Sequence, residues 1–108
     1  MARLKHTPKN FAQAAEYLGD RKIARLGNNT YLERTLGTIS VRLYSTYIVV
    51  FHDDGRVTLH TGGYRTVTTK ERINHFISGS VYQRAHQWFY QSAKRTSWEH
   101  FTEGMEVS

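Results

Sequence analysis

Between Thr30 and Val67 apolar residues tend to recur at every second position, whereas before and after that stretch they recur at every third or fourth. The clearest alternation is "TISVRLY", where Ile39, Val41 and Leu43 share one side and Ser40, Arg42 and Tyr44 the other. In "YIVVF" the alternation fails, which predicts either a bulge that shifts the phase or a strand covered on both faces. Asp54-Gly55 lies between apolar segments and is the strongest hairpin signal in the chain. Gly62-Gly63 should make the next turn and return as a strand through "YRTVT", so that residues 30–67 form an antiparallel meander of about four strands.

Helical spacing flanks the meander. Phe11, Ala14, Ala15 and Leu18 fall on one face of a first helix over about 8–18, with Thr7-Pro8 to open it and Gly19 to close it. The following "GDRKIARLGNN" is rich in residues that tolerate positive φ and reads as a connector with at most one helical turn. A second helix is predicted over about 69–78. There Thr68 and Glu71 have capping-box spacing, Ile73, Phe76 and Ile77 form the apolar stripe, and Gly79 ends the element. The segment "VYQRAHQWFYQ" returns to strand composition, with a tight hairpin near Ala85-His86-Gln87, and "SWEHFTEGMEV" supplies a last short strand within about 80–107. The order predicts one domain over 1–108 of α+β class: an antiparallel sheet covered by two short helices.

Composition narrows the function classes. The 108 residues include no cysteine, which removes thiolate metal sites, disulfides and cysteine nucleophiles. No apolar run approaches the roughly 20 residues that cross a bilayer, and the polar start lacks a signal-peptide core, so the expected location is the cytoplasm of a host cell with no membrane partner. A formal charge of +6 favours anionic partners. Most of the cations are arginine, which suits bidentate contact with phosphate or carboxylate.

Three constellations carry candidate chemistry. In "LHTGGYRTVTTKERINHFISG", Gly62, Gly63, Thr68 and Thr69 with Arg65 and Lys70 gather near a helix start, where an anion is favoured, although the spacing matches neither a P-loop nor a dinucleotide fingerprint. A hairpin turn followed by a self-satisfied cap explains the same residues. Aromatic residues interleaved with cations form the second: on a continuous strand Tyr82, Arg84, His86, Trp88 and Tyr90 share a face, as do Arg42 and Tyr44 on theirs, an arrangement suited to unpaired bases. Core packing explains those rings equally well. Third, His52 and His60 flank Asp53-Asp54 and could face each other across the hairpin as an acid–base pair, but no metal-ligand spacing occurs. Glu99, Glu103 and Glu106 read as a solvated acidic face.

The runs "GNNTYLER", "VRLYST", "DGRVTLHTGGYRTVTTKERIN" and "VYQRAHQWFY" resemble a family of small proteins from tailed phages and prophages. The resemblance implies a phage setting and supplies no activity and no site residues. The resulting expectation is a non-enzymatic, cofactor-free binding protein for nucleic acid or a host nucleic-acid-binding protein, with a counter-defence, anti-CRISPR-like role. Arg42, Arg65, Lys70, Arg72 and Arg84 would meet phosphate, and Tyr44, Tyr64 and Trp88 would stack. Two readings stand beside it: a sponge for a phosphorylated nucleotide at the Gly62–Lys70 turn, held within a homo-oligomer, and a protein-docking inhibitor or structural phage protein.

Overall fold

A computed structural model describes residues 4–94 and 97–107. Eleven elements follow in chain order: α1 (Phe11–Leu18), β1 (Ile23–Gly27), β2 (Thr30–Thr35), β3 (Thr38–Leu43), β4 (Thr46–His52), β5 (Val57–Leu59), α2 (Val67–His75), β6 (Ser80–Arg84), β7 (Gln87–Gln91), β8 (Trp98–His100) and β9 (Met105–Val107). They build two antiparallel sheets, one of six strands in the order β1-β2-β3-β4-β5-β9 and one of three in the order β6-β7-β8. The α+β class is as expected, but the sheet is larger and is divided in two.

The meander forms through local turns. Asp54-Gly55 makes the β4–β5 hairpin, with Gly55 at φ +96° and the Asp54 carboxylate accepting from the Arg56 N–H at 3.1 Å and Nε at 2.8 Å. Within "YIVVF" a bulge does shift the phase. Val41 pairs with Val49 and Arg42 with Tyr47, so Ile48 has no partner, and Ile48 and Val49 are buried in succession.

Several boundaries differ from expectation. The connector contains β1, whose alternate residues Ala24 and Leu26 are buried while Ile23 and Arg25 are exposed. Its Gly27-Asn28-Asn29 run is the β1–β2 turn, with Asn29 at φ +56°. Helix α1 starts later than Thr7-Pro8, because Asn10 caps it by accepting from Gln13 N at 2.8 Å. Gly19 closes α1 as expected, at φ +58°. The run after Gly62-Gly63 forms no strand. It leads directly into α2, whose cap is Thr66, accepting from Thr69 N at 3.1 Å; Thr68 and Glu71 do not form the box. Helix α2 ends at Phe76, and Gly79 has a packing role instead: a Cβ there would collide with the backbone oxygen of Gln91 and lie 2.6 Å from the Tyr90 hydroxyl.

One continuous core joins both sheets and both helices. Helix α1 packs on β3 and β4, and α2 packs on β4 and β6. From the small sheet, Val81, Trp88 and Tyr90 turn inward, and Phe101 closes edge-on against Trp88 at 5.6 Å between centroids. The buried Tyr90 hydroxyl has no hydrogen-bond partner among the described residues, and burial together with the nearby Glu99 charge pushes its pKa up. The chain after His100 returns to add β9 beside β5, with Leu59 opposite Met105.

Candidate nucleic-acid interface

The Gly62 loop does hold an anion, and the anion is the protein's own. The Thr61 N–H donates to Glu103 Oε1 at 2.7 Å, the Thr61 hydroxyl donates to Oε2, and the Gly62 N–H reaches Oε1 at 3.3 Å. Arg65 Nη2 stands 4.0 Å from Oε2. Burial pushes the Glu103 carboxyl up, but the bonds from Thr61 and Gly62 and the Arg65 charge outweigh it and hold the pKa below the ordinary glutamate value. Glu103 is therefore a fastener between the C-terminal segment and this loop, whereas Glu106, 3.5 Å from Arg56, and Glu99 remain on the exposed acidic surface. A phosphate at these donors would have to displace a carboxylate that already satisfies them.

The five cations expected at phosphate separate into different settings. Arg72 is 5% exposed and spends its charge inside, donating from Nε to the Thr30 hydroxyl at 3.0 Å with Glu71 3.5 Å away. Burial corrects its assignment as a phosphate contact. Arg42 is half-buried on the outer face of the large sheet, tied to Glu33 at 2.9 Å and laid over the Tyr31 ring at 4.7 Å. Arg65 and Lys70 lie over the Trp88 ring at 5.8 and 5.9 Å, and Arg65 also covers Phe101. Arg84 is exposed at the end of β6.

The expected stacking residues separate too. Trp88 is 4% exposed and offers no face to a ligand, because it belongs to the core. Tyr44 and Tyr64 are exposed and stand together with Thr68 and Thr69 around a cavity of about 310 Å³ between the β3–β4 turn and the loop entering α2.

The outer face of the small sheet gathers what the sequence pattern dispersed. Ala85 and His86, at φ +52° and +65°, make a two-residue turn between β6 and β7. Arg84 then pairs with Gln87, Tyr82 with Phe89 and Ser80 with Gln91, while β8 sets His100 beside Phe89 and Trp98 beside Gln91. Since alternate residues of a strand share a face, Tyr82, Arg84, Phe89, Trp98 and His100 all point outward. Their rings touch: Tyr82 stacks on Phe89 at 5.6 Å, Phe89 meets His100 at 4.8 Å and Trp98 at 5.6 Å, and Trp98 meets His100 at 6.3 Å. Trp98 is 61% exposed. Register places Gln87, Gln91 and Ser80 on the same face and gives it no carboxylate, since Glu99 pairs with Tyr90 on the other side. Sequence reasoning missed Phe89, Trp98 and His100. The usable signal was the turn at Ala85-His86: a two-residue turn reverses which parity on the second strand shares a face with the first.

The histidines do not assemble. Ile48 receives the His60 N–H through its carbonyl, whereas the His52 N–H bonds to Arg56 O, so the two rings belong to opposite ends of the hairpin. The Nε2 of His52 lies 3.3 Å from the Thr58 hydroxyl. Among the described residues no cluster of three metal-ligating side chains occurs, and no helix is long and apolar enough to cross a membrane.

Comparison with known proteins yields no matching curated protein and no matching solved structure. A family model described as the Kyanoviridae Gp96 protein matches residues 7–108, nearly the whole chain, and the protein belongs to that phage family.

Proposed function

We propose that this phage protein binds single-stranded nucleic acid on the outer face of the small sheet and performs no chemistry on it. The observation that supports this reading is the connected set of rings Tyr82–Phe89–Trp98–His100, half-buried at Tyr82 and Phe89 and exposed at Trp98 and His100, with Arg84 at its margin and no acid of the described strands on the face. Unpaired bases stack on such rings without regard to sequence, and a nearby guanidinium neutralises backbone phosphate. The amides of Gln87 and Gln91 add donors and acceptors for base edges. The net charge of +6 draws a polyanion toward the protein. A host nucleoprotein that displays unpaired RNA or DNA presents the same chemistry, so a counter-defence role would act through this same face.

Fluorescence anisotropy with labelled single strands and duplexes, from about 50 to 200 mM salt, tests the proposal. Single strands should bind more tightly than duplexes. Trp98→Ala should weaken binding roughly 5- to 150-fold, the range that one lost base–aromatic stack produces. Arg84→Ala should flatten the salt slope by about 0.7, one phosphate's share on a single strand. Absence of single-strand binding at the lowest salt, or an unchanged affinity in Trp98→Ala, would overturn the assignment.

A further inference from the structure

The cavity between the β3–β4 turn and the loop entering α2 is separate from the small-sheet face. From its position and chemistry we infer a second binding site, one that takes a single nucleobase edge-first and leaves any attached phosphate outside.

Size and form come first. At about 310 Å³ the cavity stands at the lower end of small-molecule pockets, large enough for one heterocycle with part of its sugar. Leu43 and the bulged Ile48 supply apolar surface, while Tyr44 and Tyr64, at 62% and 65% exposure, stand at its rim. The bulge is the reason that Ile48 is available here: it turns two successive β4 residues out of solvent.

The lining then selects the ligand class. Among the described residues five threonines face the cavity, and no charged side chain does. The hydroxyl of Thr61 is committed to Glu103, and those of Thr66 and Thr69 to each other at 3.0 Å. Ser45, Thr46 and Thr68 make no side-chain hydrogen bond among the described residues, which leaves three hydroxyls that each donate and accept. An acyl chain would leave these hydroxyls unpaired, and a phosphate would find no cation, because Arg65 lies over Trp88 and Phe101 and Lys70 turns toward Gln83. A flat, neutral ring with donors and acceptors along its edge satisfies both the tyrosine rings and the hydroxyls.

The rim is also held in place. Tyr44 has φ +56°, the left-handed conformation taken at the first position of the two-residue β3–β4 turn, which sets the direction of its ring. Its N–H donates to Asn29 O at 2.8 Å and its carbonyl accepts from Arg42 Nη1 at 2.6 Å, so the backbone is fastened on both sides of the ring. Across the cavity Gly62 abuts Thr46, where an added Cβ would stand 3.0 Å from the threonine side chain.

The test uses the full chain and saturation-transfer NMR with four ribonucleosides and their 5′-monophosphates. At least one nucleoside should bind below about 1 mM, with its monophosphate within about twofold. Tyr44→Ala and Thr68→Val should each weaken it by about tenfold or more while leaving the dispersed amide spectrum intact, and Trp98→Ala should leave it unchanged. A short single strand that displaces the nucleoside assigns the cavity to a base within a strand, and one that does not assigns it to a free nucleoside; both support the site. Absence of nucleoside binding up to about 1 mM, an undiminished signal in Tyr44→Ala, or a monophosphate bound more than about tenfold tighter would overturn it. Because Trp98→Ala separates the two sites, failure here leaves the small-sheet proposal standing, and the reverse also holds.

Discussion

Replacing Glu103 by alanine removes the acceptor of three hydrogen bonds, two of them from the fully buried Thr61. A hydrogen bond to a charged group contributes about 1.5–3 kcal/mol, so the two Thr61 bonds together contribute about 3–6 kcal/mol. The Glu103 side chain keeps 43% of its surface in water, which can reach the freed donors, and halving the sum for that screening leaves about 2 kcal/mol. For a domain near this size the melting temperature should fall by roughly 8–16 °C at neutral pH. The pH dependence has a fixed sign. The folded pKa of Glu103 is depressed, so its contribution is complete above the unfolded value of about 4.3 and is lost as pH falls through the lower folded value. Melting curves of wild type and Glu103→Ala should therefore differ by a constant amount from about pH 7 to 5, and the gap should narrow as pH falls below the ordinary glutamate value. A variant melting within about 2 °C of wild type at pH 7, or a gap that persists unchanged into acid, would refute the account of this carboxylate as a fastener.

Other substitutions separate packing from binding. Gly79→Ala should cost about 2–3 kcal/mol in chemical denaturation, because the new methyl meets the Gln91 carbonyl and the Tyr90 ring at 2.8 Å. Arg72→Ala should lower stability by about 2 kcal/mol through its lost bond to Thr30 yet leave the single-strand affinity of the folded fraction unchanged, whereas Arg84→Ala should do the opposite, read by paired melting and anisotropy measurements. Changing Ala85-His86 to Asn-Gly should raise stability by about 1 kcal/mol or more in the same denaturation assay, since both positions are left-handed and the new pair suits such a turn.

The elements that the sequence made legible are those with local causes. Asp54-Gly55 specifies its turn by backbone preference, whereas Ala85-His86 turns against it, and the broken alternation in "YIVVF" follows from the bulge at Ile48. Strand β1 carried a readable pattern too, with Ala24 and Leu26 inside, but the Gly27-Asn28-Asn29 turn resembled part of a longer connector. The cap of α2 was not decidable locally, because Thr66 and Thr68 both suit the role and the path of the chain from the Gly62 loop favours Thr66. The Glu103 contact spans the distance from Thr61 to the C-terminal segment, and no nearest-neighbour rule anticipates it. On the small sheet the residue types were visible and the face was not: reading "VYQRAHQWFYQ" as one strand groups Tyr82 with Trp88, and folding it at Ala85-His86 groups Tyr82 with Phe89.

The pairing of β5 with β9 bears on how the chain is made. Every other ladder joins strands that follow one another directly, so β1 to β5 can zip together as they leave the ribosome. Strand β5 has no second neighbour until Met105 arrives opposite Leu59. At about 5–20 residues per second this interval lasts a few seconds, during which β5 is a bare edge able to template pairing with another nascent chain. Its brevity, three residues, and the Arg56 that precedes it limit that hazard. The mature sheet is thus completed late in synthesis, and conditions that slow elongation through the small sheet should raise aggregation of this protein while leaving the stability of the finished fold unchanged.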